Sequence, residues 1–291
     1  MSKETEKIFS QMNKYMEQFN FDSEEQMEKE MKNFIQKLNN NEIEFDDPKF
    51  KPEDLLEGAY NTSSKTKAIK LAKQALEINP ENIDAECFIA EFEENQIKKL
   101  SKMEDIIEKA TKILEKDNMF DKENIGHFWE MIETRPYMRA RNRKLTILMD
   151  LGRYTDAIKE CEEMLKLCES DNLGIRYTLI GLYCTLEKFE ECEKLYKKFN
   201  EYSAFMLFPM AIMYFKKGDY KKSKKFLKDV QEANPYIIKI LKNDIAMIEN
   251  SEDIKYYAPG SKEEASIIIT DLFYLLGSVP SFVTFMEIEL K

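Results

Sequence analysis

The chain has 291 residues, 34% of them charged with a formal net charge of −11, and it carries only 8 glycines, 8 prolines and one histidine, His127. So few turn residues argue against a many-stranded sandwich or barrel, and no Gly-rich phosphate loop is present. One imidazole excludes most Ser-His-Asp, Cys-His and multi-histidine metal chemistry, and the acidic balance argues against generic binding to nucleic acid or an anionic membrane.

Long helices are therefore expected from the first residues onward. Residues 1–45 read as an acidic N-terminal cap of two helices. The first spaces Ile8, Met12, Tyr15, Met16 and Phe19 by three and four; the second opens at Ser23 with Gln26 in a capping-box spacing and runs through Met27, Met31, Phe34, Ile35 and Leu38. The stretch Asp46-Asp47-Pro48-Lys49-Phe50-Lys51-Pro52 reads as a joint. Residues 53–133 read as degenerate helix pairs. Ala68, Ala72, Ala75 and Pro80 keep the spacing of the second helix of a tetratricopeptide unit. Helices are expected over 83–96 and 103–116, then a connecting helix holding His127, Trp129 and Ile132.

Residues 134–236 read as three further units. Gly152, Tyr154, Ala157 and Cys161 set a frame that returns at Glu187, Phe189, Cys192 and Tyr196, and again at Gly218, Tyr220, Ser223 and Leu227. The steps between turn positions, 152 to 187 to 218, bracket the roughly 34-residue period of that repeat. Cys161 and Cys192 fall where helix backbones approach closely, which favours inert buried thiols over ligands. The five cysteines are odd in number and contain no C-x-x-C pair, as suits a reducing compartment. The start Met-Ser-Lys-Glu-Thr-Glu lacks a signal-peptide pattern, and no apolar run reaches about 18 residues; the expectation is a cytoplasmic protein with no membrane segment. Residues 237–291, with a helix from Ile237 to Ile248, Pro259-Gly260, a capped helix at Ser261 and an apolar end from Phe282 to Leu290, read as a C-terminal cap.

The stretch Ile132-Glu-Thr-Arg-Pro-Tyr-Met-Arg-Ala140, the turn Leu151-Gly-Arg-Tyr154 and Ser170-Asp-Asn-Leu-Gly-Ile-Arg-Tyr177 resemble a group of bacterial tetratricopeptide-like proteins without established activity. Asn234-Pro235-Tyr-Ile-Ile-Lys-Ile-Leu241 and Pro259-Gly-Ser-Lys-Glu-Glu-Ala265 resemble the suppressor-of-tumorigenicity-seven family of eukaryotes. The resemblance covers most of residues 52–275. It implies a helical repeat protein and supplies no catalytic residue.

All six arginines, Arg135, Arg139, Arg141, Arg143, Arg153 and Arg176, fall between residues 135 and 176, whereas the rest of the chain takes its positive charge from lysine. Arginine is required where a planar five-donor fork meets a carboxylate, phosphate or aromatic face. In a stacked array the first helix of each unit lines the concave face, which puts Arg139, Asn142, Arg143 and Thr146 there, then Tyr177, Thr178 and Cys184, then Phe205, Phe208, Pro209 and Ile212. Arg176 and Asp171-Asn172 would edge it. That groove suits an extended peptide or protein segment carrying acidic or C-terminal carboxylate groups. The competing reading has the arginines pairing internally with Glu133, Asp150, Glu169 and Asp171.

Lesser candidates each have a plainer reading. His127, Glu130 and Glu133 share a helix spacing but lack a second ligand pair, so neither metal nor cofactor is expected. The run Lys221-Lys222-Ser223-Lys224-Lys225 reads as a solvated helix face, and Cys161 with Cys168 as packing residues. The sequence thus predicts an all-α, right-handed superhelical solenoid of tetratricopeptide-like helix-turn-helix repeats with helical caps at both ends. Its expected function is non-enzymatic: an adaptor binding a protein or peptide in its concave groove. A sensor of a small peptide or anionic metabolite is the first alternative, and an enzyme using the arginine-rich window with Glu133 or Asp171 the second.

Overall fold

The structure, a computed structural model, describes residues 8, 12, 15, 16, 19, 21, 23–39, 51–250, 254 and 256–290. Fifteen helices can be bounded among the described residues, which contain no strand. They are α1 (Glu24–Asn39), α2 (Lys51–Asn61), α3 (Lys65–Ile78), α4 (Ile83–Ala90), α5 (Gln96–Lys116), α6 (Arg135–Asp150), α7 (Tyr154–Leu167), α8 (Ile175–Thr185), α9 (Phe189–Phe199), α10 (Ala204–Lys216), α11 (Tyr220–Ala233), α12 (Pro235–Leu241), α13 (Lys262–Asp271), α14 (Phe273–Gly277) and α15 (Ser281–Glu289). The chain divides into two compact units, Met1–Ile147 and Leu148–Lys291.

In the first unit, consecutive helices from α2 to α5 pack on one another. Small residues let them approach: Ala68, Ala72 and Ala75 of α3 are buried with Leu56, Ala59, Ala85 and Phe88 in one apolar cluster. Of the expected first helix of the N-terminal cap, Ile8, Met12, Tyr15 and Met16 are helical; most of its other positions lie outside the described residues. Ser23 accepts the Gln26 amide at 3.3 Å, as the capping spacing requires. Residues 46–50 of the expected joint also lie outside the described residues. Its last two, Lys51 and Pro52, instead open α2, where proline's missing N–H is an orphan donor in any case.

Two expectations fail between residues 83 and 134. α4 stops at Ala90 and α5 begins at Gln96, because Asn95 caps α5 by accepting the amides of Ile97 and Lys98. No connecting helix holds His127, Trp129 and Ile132. Asn118 (φ 55°) and Gly126 (φ 102°) turn the backbone, which then closes as successive turns with amides reaching back three residues. Thr134 and Arg135 fix the end of this segment: the Thr134 hydroxyl donates to the carbonyls of Phe128 and Met131, and Arg135 Nε donates to the Trp129 carbonyl at 2.7 Å.

The second unit packs consecutive helices from α7 to α13, with further contacts of α8 on α10 and α14, of α10 on α13, and of α11 on α15. Its centre is α10, buried without interruption from Ala204 to Tyr214, a helix apolar all round. The turn positions at 152, 187 and 218 have one geometry. Gly152, Glu187 and Gly218 lie at φ 65°, 59° and 81°. The next amide reaches back five residues in each: Arg153 to Leu148 at 2.9 Å, Lys188 to Tyr183 at 2.8 Å and Asp219 to Tyr214 at 2.9 Å. Five residues after each turn stands a small side chain with no exposure, Ala157, Cys192 or Ser223. After Pro235 the expected helix to Ile248 ends early, at Leu241, where Asn243 (φ 59°) turns the chain out of it.

Candidate functional site

In the first unit, Arg139 and Arg143 stand one turn apart on α6, each side chain about four-fifths buried. Arg139 grips Asp84 of α4 with a two-pronged fork, Nε to Oδ1 at 2.9 Å and Nη2 to Oδ2 at 2.6 Å. Arg143 donates through Nε to Glu91 and through Nη2 to the Tyr60 hydroxyl at 3.0 Å, and its Nη1 lies 3.7 Å from Asp84 Oδ1. Burial opposes the Arg143 charge, but Tyr60 and Glu91 outweigh it and hold its pKa above the usual guanidinium value. The half-buried Asn142 accepts the Thr146 hydroxyl at its carbonyl, 3.2 Å away. The forks here hold internal acids, as in the network reading, although the partners are Asp84 and Glu91 instead of Glu133 and Asp150.

The remaining arginines also hold groups of their own chain. Arg141 lies over the Tyr137 ring and donates to its hydroxyl, and Arg153 forks onto Asp156 at the surface. Each guanidinium of the cluster therefore meets a carboxylate, a carbonyl or an aromatic face. That requirement explains why this stretch uses arginine in a lysine-rich chain.

In the second unit, Asp171 organises the start of α8. Its carboxylate, 1% exposed, accepts the amides of Ile175 at 2.7 Å and Arg176 at 3.0 Å, then Arg176 Nη1 at 2.8 Å. Gly174 at φ 70° makes the turn that brings those amides over it. Arg176 Nε donates to Glu201 at 2.9 Å, and its plane lies over Tyr177 at 4.2 Å and Phe199 at 5.2 Å. Tyr177 accepts from Arg176 Nη2 at 2.6 Å and donates to Glu201 at 2.7 Å. Burial and that bond to Glu201 raise the phenol's pKa, so it stays a donor. Burial opposes the Glu201 charge, but the bonds from Tyr177 and Arg176 prevail and lower its pKa.

Beside this network opens a pocket of about 430 Å³. Its wall is the 171–174 turn with Arg176, Tyr177 and Thr178; across it stand Phe205 from the first turn of α10, Tyr257 from the loop before α13, and Ile267 and Asp271 of α13. Phe205 lies between two rings, 4.7 Å from Tyr177 and 6.1 Å from Tyr257 between centroids. Arg176, Tyr177 and Phe205, three of the residues read from the sequence as groove residues, line this one recess. Phe208 is a correction: it has no exposure and packs against Phe282 of α15 at 6.2 Å. Cys184, Pro209 and Ile212 are buried as well.

The physical reason is the C-terminal segment. α13 packs on α10, α14 on α8 and α15 on α11, so the stretch of the assigned face on α8 and α10 is covered by the chain's own C-terminal segment. Gly181 lies hard against this segment: an added Cβ there would clash with the Tyr274 hydroxyl and with Leu272. The two stretches of the second resemblance meet below it: Asn234 Nδ2 donates to the Ser261 carbonyl at 2.9 Å and to Glu264 at 2.8 Å, and the Gly260 amide donates to Glu264 at 2.7 Å. They form a buried polar clasp that joins α11, α12 and α13.

The lesser candidates are simply placed. His127 Nδ1 lies 3.0 Å from Glu130 at an exposed site, and no group of three potential metal-ligating residues occurs among the described residues. All five thiols are buried, and burial pushes those of Cys87 and Cys184 up to about 12. In the lysine run Ser223 is the buried member, donating to the Ala211 carbonyl at 2.8 Å. No helix among the described residues is long and apolar enough to cross a membrane.

Asp84, Glu91, Glu201, Tyr257 and Asp271 belong to these sites and were not foreseen. For Asp84 and Glu91 a signal existed: they are acids inside the apolar run Ile83-Asp-Ala-Glu-Cys-Phe-Ile-Ala-Glu-Phe92. Tyr257 and Asp271 reach the pocket only through the fold-back, which no local pattern announces. No protein-family model matches the chain, and no curated protein matches it.

Proposed function

We propose that this protein is a non-enzymatic recognition module that binds a peptide or protein segment, with the pocket at the start of α8 and α10 as its anchoring site. The carrying observation is the recess itself: about 430 Å³, within the range of ligand sites, with three aromatic rings and a small set of fixed polar groups. Rigid aromatic side chains beside a preorganised arginine are the usual anchors of a recognition surface. The recurrent turns at Gly152, Glu187 and Gly218 support reading 134–236 as tetratricopeptide-like units of a right-handed solenoid, in keeping with the resemblance. Buried, protonated thiols support a non-catalytic reading and a reducing, cytoplasmic setting.

The test is a random peptide array probed with the purified full-length protein and with Tyr257→Ala. That ring is 44% exposed and its loss leaves the core untouched. The expected result is a defined set of retained peptides that the variant loses. Retention of no set, or retention of the same set by Tyr257→Ala, overturns the reading.

A further inference from the structure

We infer that this pocket takes a cationic group, an alkylammonium or alkylguanidinium such as the side chain of a lysine or arginine in the bound peptide. The inference rests on the recognition reading and specifies its ligand chemistry, opposite in sign to the carboxylate that the arginine cluster suggests from sequence.

The first ground is charge. Among the described residues Arg176 is the one basic residue of the wall, and its fork already serves Asp171 and Glu201. Asp271 adds a third carboxylate on the opposite side and makes no hydrogen bond or ion pair among the described residues. Among the described residues one guanidinium thus stands against three acids, and an anion entering the recess would meet that excess. The second ground is the position of Asp271. It is the last residue of α13, where the negative end of the helix disfavours a carboxylate, and the last turn carries no base to offset it. The residue is exposed at the edge of the recess, within reach of an entering cation, and desolvation raises its pKa. The third ground is the wall of rings. Arg176 and Phe205 already lie against Tyr177, and Phe205 lies between Tyr177 and Tyr257, so the exposed ring of the wall is Tyr257; a cation within about 6 Å of its face is attracted to it. The Tyr257 ring and the Asp271 carboxylate together form the cation receptor.

The experiment follows backbone amide NMR signals of the full chain during titration with butylammonium, butylguanidinium, butyrate, and end-blocked Gly-Lys-Gly and Gly-Glu-Gly peptides. Saturable shifts at Thr178, Phe205 and Asp271 are expected with both cations and the lysine peptide, and none with butyrate or the glutamate peptide. Asp271→Asn should weaken cation binding about tenfold without lowering the melting temperature, and Tyr257→Ala should weaken it independently. Equal or stronger shifts with the anions, no saturable shift with any cation, or unchanged affinity in both variants would overturn the inference. Free cations binding without the lysine peptide would uphold it and sink the peptide reading. Array peptides retained for their acidic residues would do the reverse.

Discussion

The two arginine networks use the same chemistry to different ends. In the first unit two guanidiniums meet two carboxylates, Asp84 and Glu91, with Tyr60 closing the fork of Arg143. Charge balances there and the network fastens α6 to α4. In the second unit a single guanidinium meets Asp171 and Glu201, and a third acid, Asp271, stands across an open recess. A balanced network needs nothing further, whereas the acid-rich one leaves a demand that a ligand can meet. On the proposed reading it is the sign of what remains unmatched, and not the presence of arginine, that selects the ligand.

The comparison is most sharply tested by deleting one acid from each network. Asp171→Ala should destabilise the second unit by about 3 kcal/mol, because the carboxylate is almost wholly buried and two backbone amides lose their acceptor along with Arg176. Asp84→Ala should cost about 2 kcal/mol, less because its side chain is 13% exposed and Arg143 keeps Glu91. Urea denaturation of each variant against wild type measures both. An Asp84→Ala effect larger than that of Asp171→Ala would show that the first network bears more of the stability.

A milder change asks whether fork geometry matters beyond charge. Replacing both Arg139 and Arg143 by lysine keeps the charge and removes the two-pronged contacts, so a loss of about 1 kcal/mol in denaturation is expected. Peptide retention on the array should not change, because neither residue lines the pocket. Intact stability with altered retention would return these arginines to the binding surface and erase the contrast between the networks.

The sequence made local geometry legible and long-range pairing illegible. Positions 152, 187 and 218 were placed in phase by spacing alone, and all three have left-handed backbone, including Glu187, whose residue type gives no hint of it. Such a turn is specified within about six residues, so periodicity suffices to find it. That Arg176, Tyr177 and Phe205 stand in the first turns of two helices is legible for a similar reason, since the frame of both helices follows from the spacing. The acids that meet Arg139 and Arg143 lie 55 and 52 residues away in sequence, and the contact of Tyr274 with Thr178 spans 96. Nothing in a helical period encodes which distant helix arrives. The expected connecting helix failed differently: residues 117–134 alternate apolar and polar positions well enough, but the turns at Asn118 and Gly126 and the carbonyl contacts of Thr134 and Arg135 override that periodicity.

The smallest expected effect carries the finest distinction. Asp271 has a raised pKa from desolvation, so between its ordinary value near 3.8 and its folded value the native state binds more protons than the unfolded state. Stability therefore falls as pH rises through that window, the opposite of Glu201, whose lowered pKa gives stability present above about 4.5 and lost as pH falls through its folded value. Asp271→Asn should remove the first loss and leave the second. At neutral pH it should stabilise the protein by about 0.5 kcal/mol at most, since the side chain is partly solvated and the helix-end contribution is small. Thermal melts of wild type and variant from pH 3 to pH 7 should converge at the acid end and separate towards neutrality. Destabilisation by Asp271→Asn at neutral pH would mean that the carboxylate already has a partner within the fold, and the second network would then be as closed as the first.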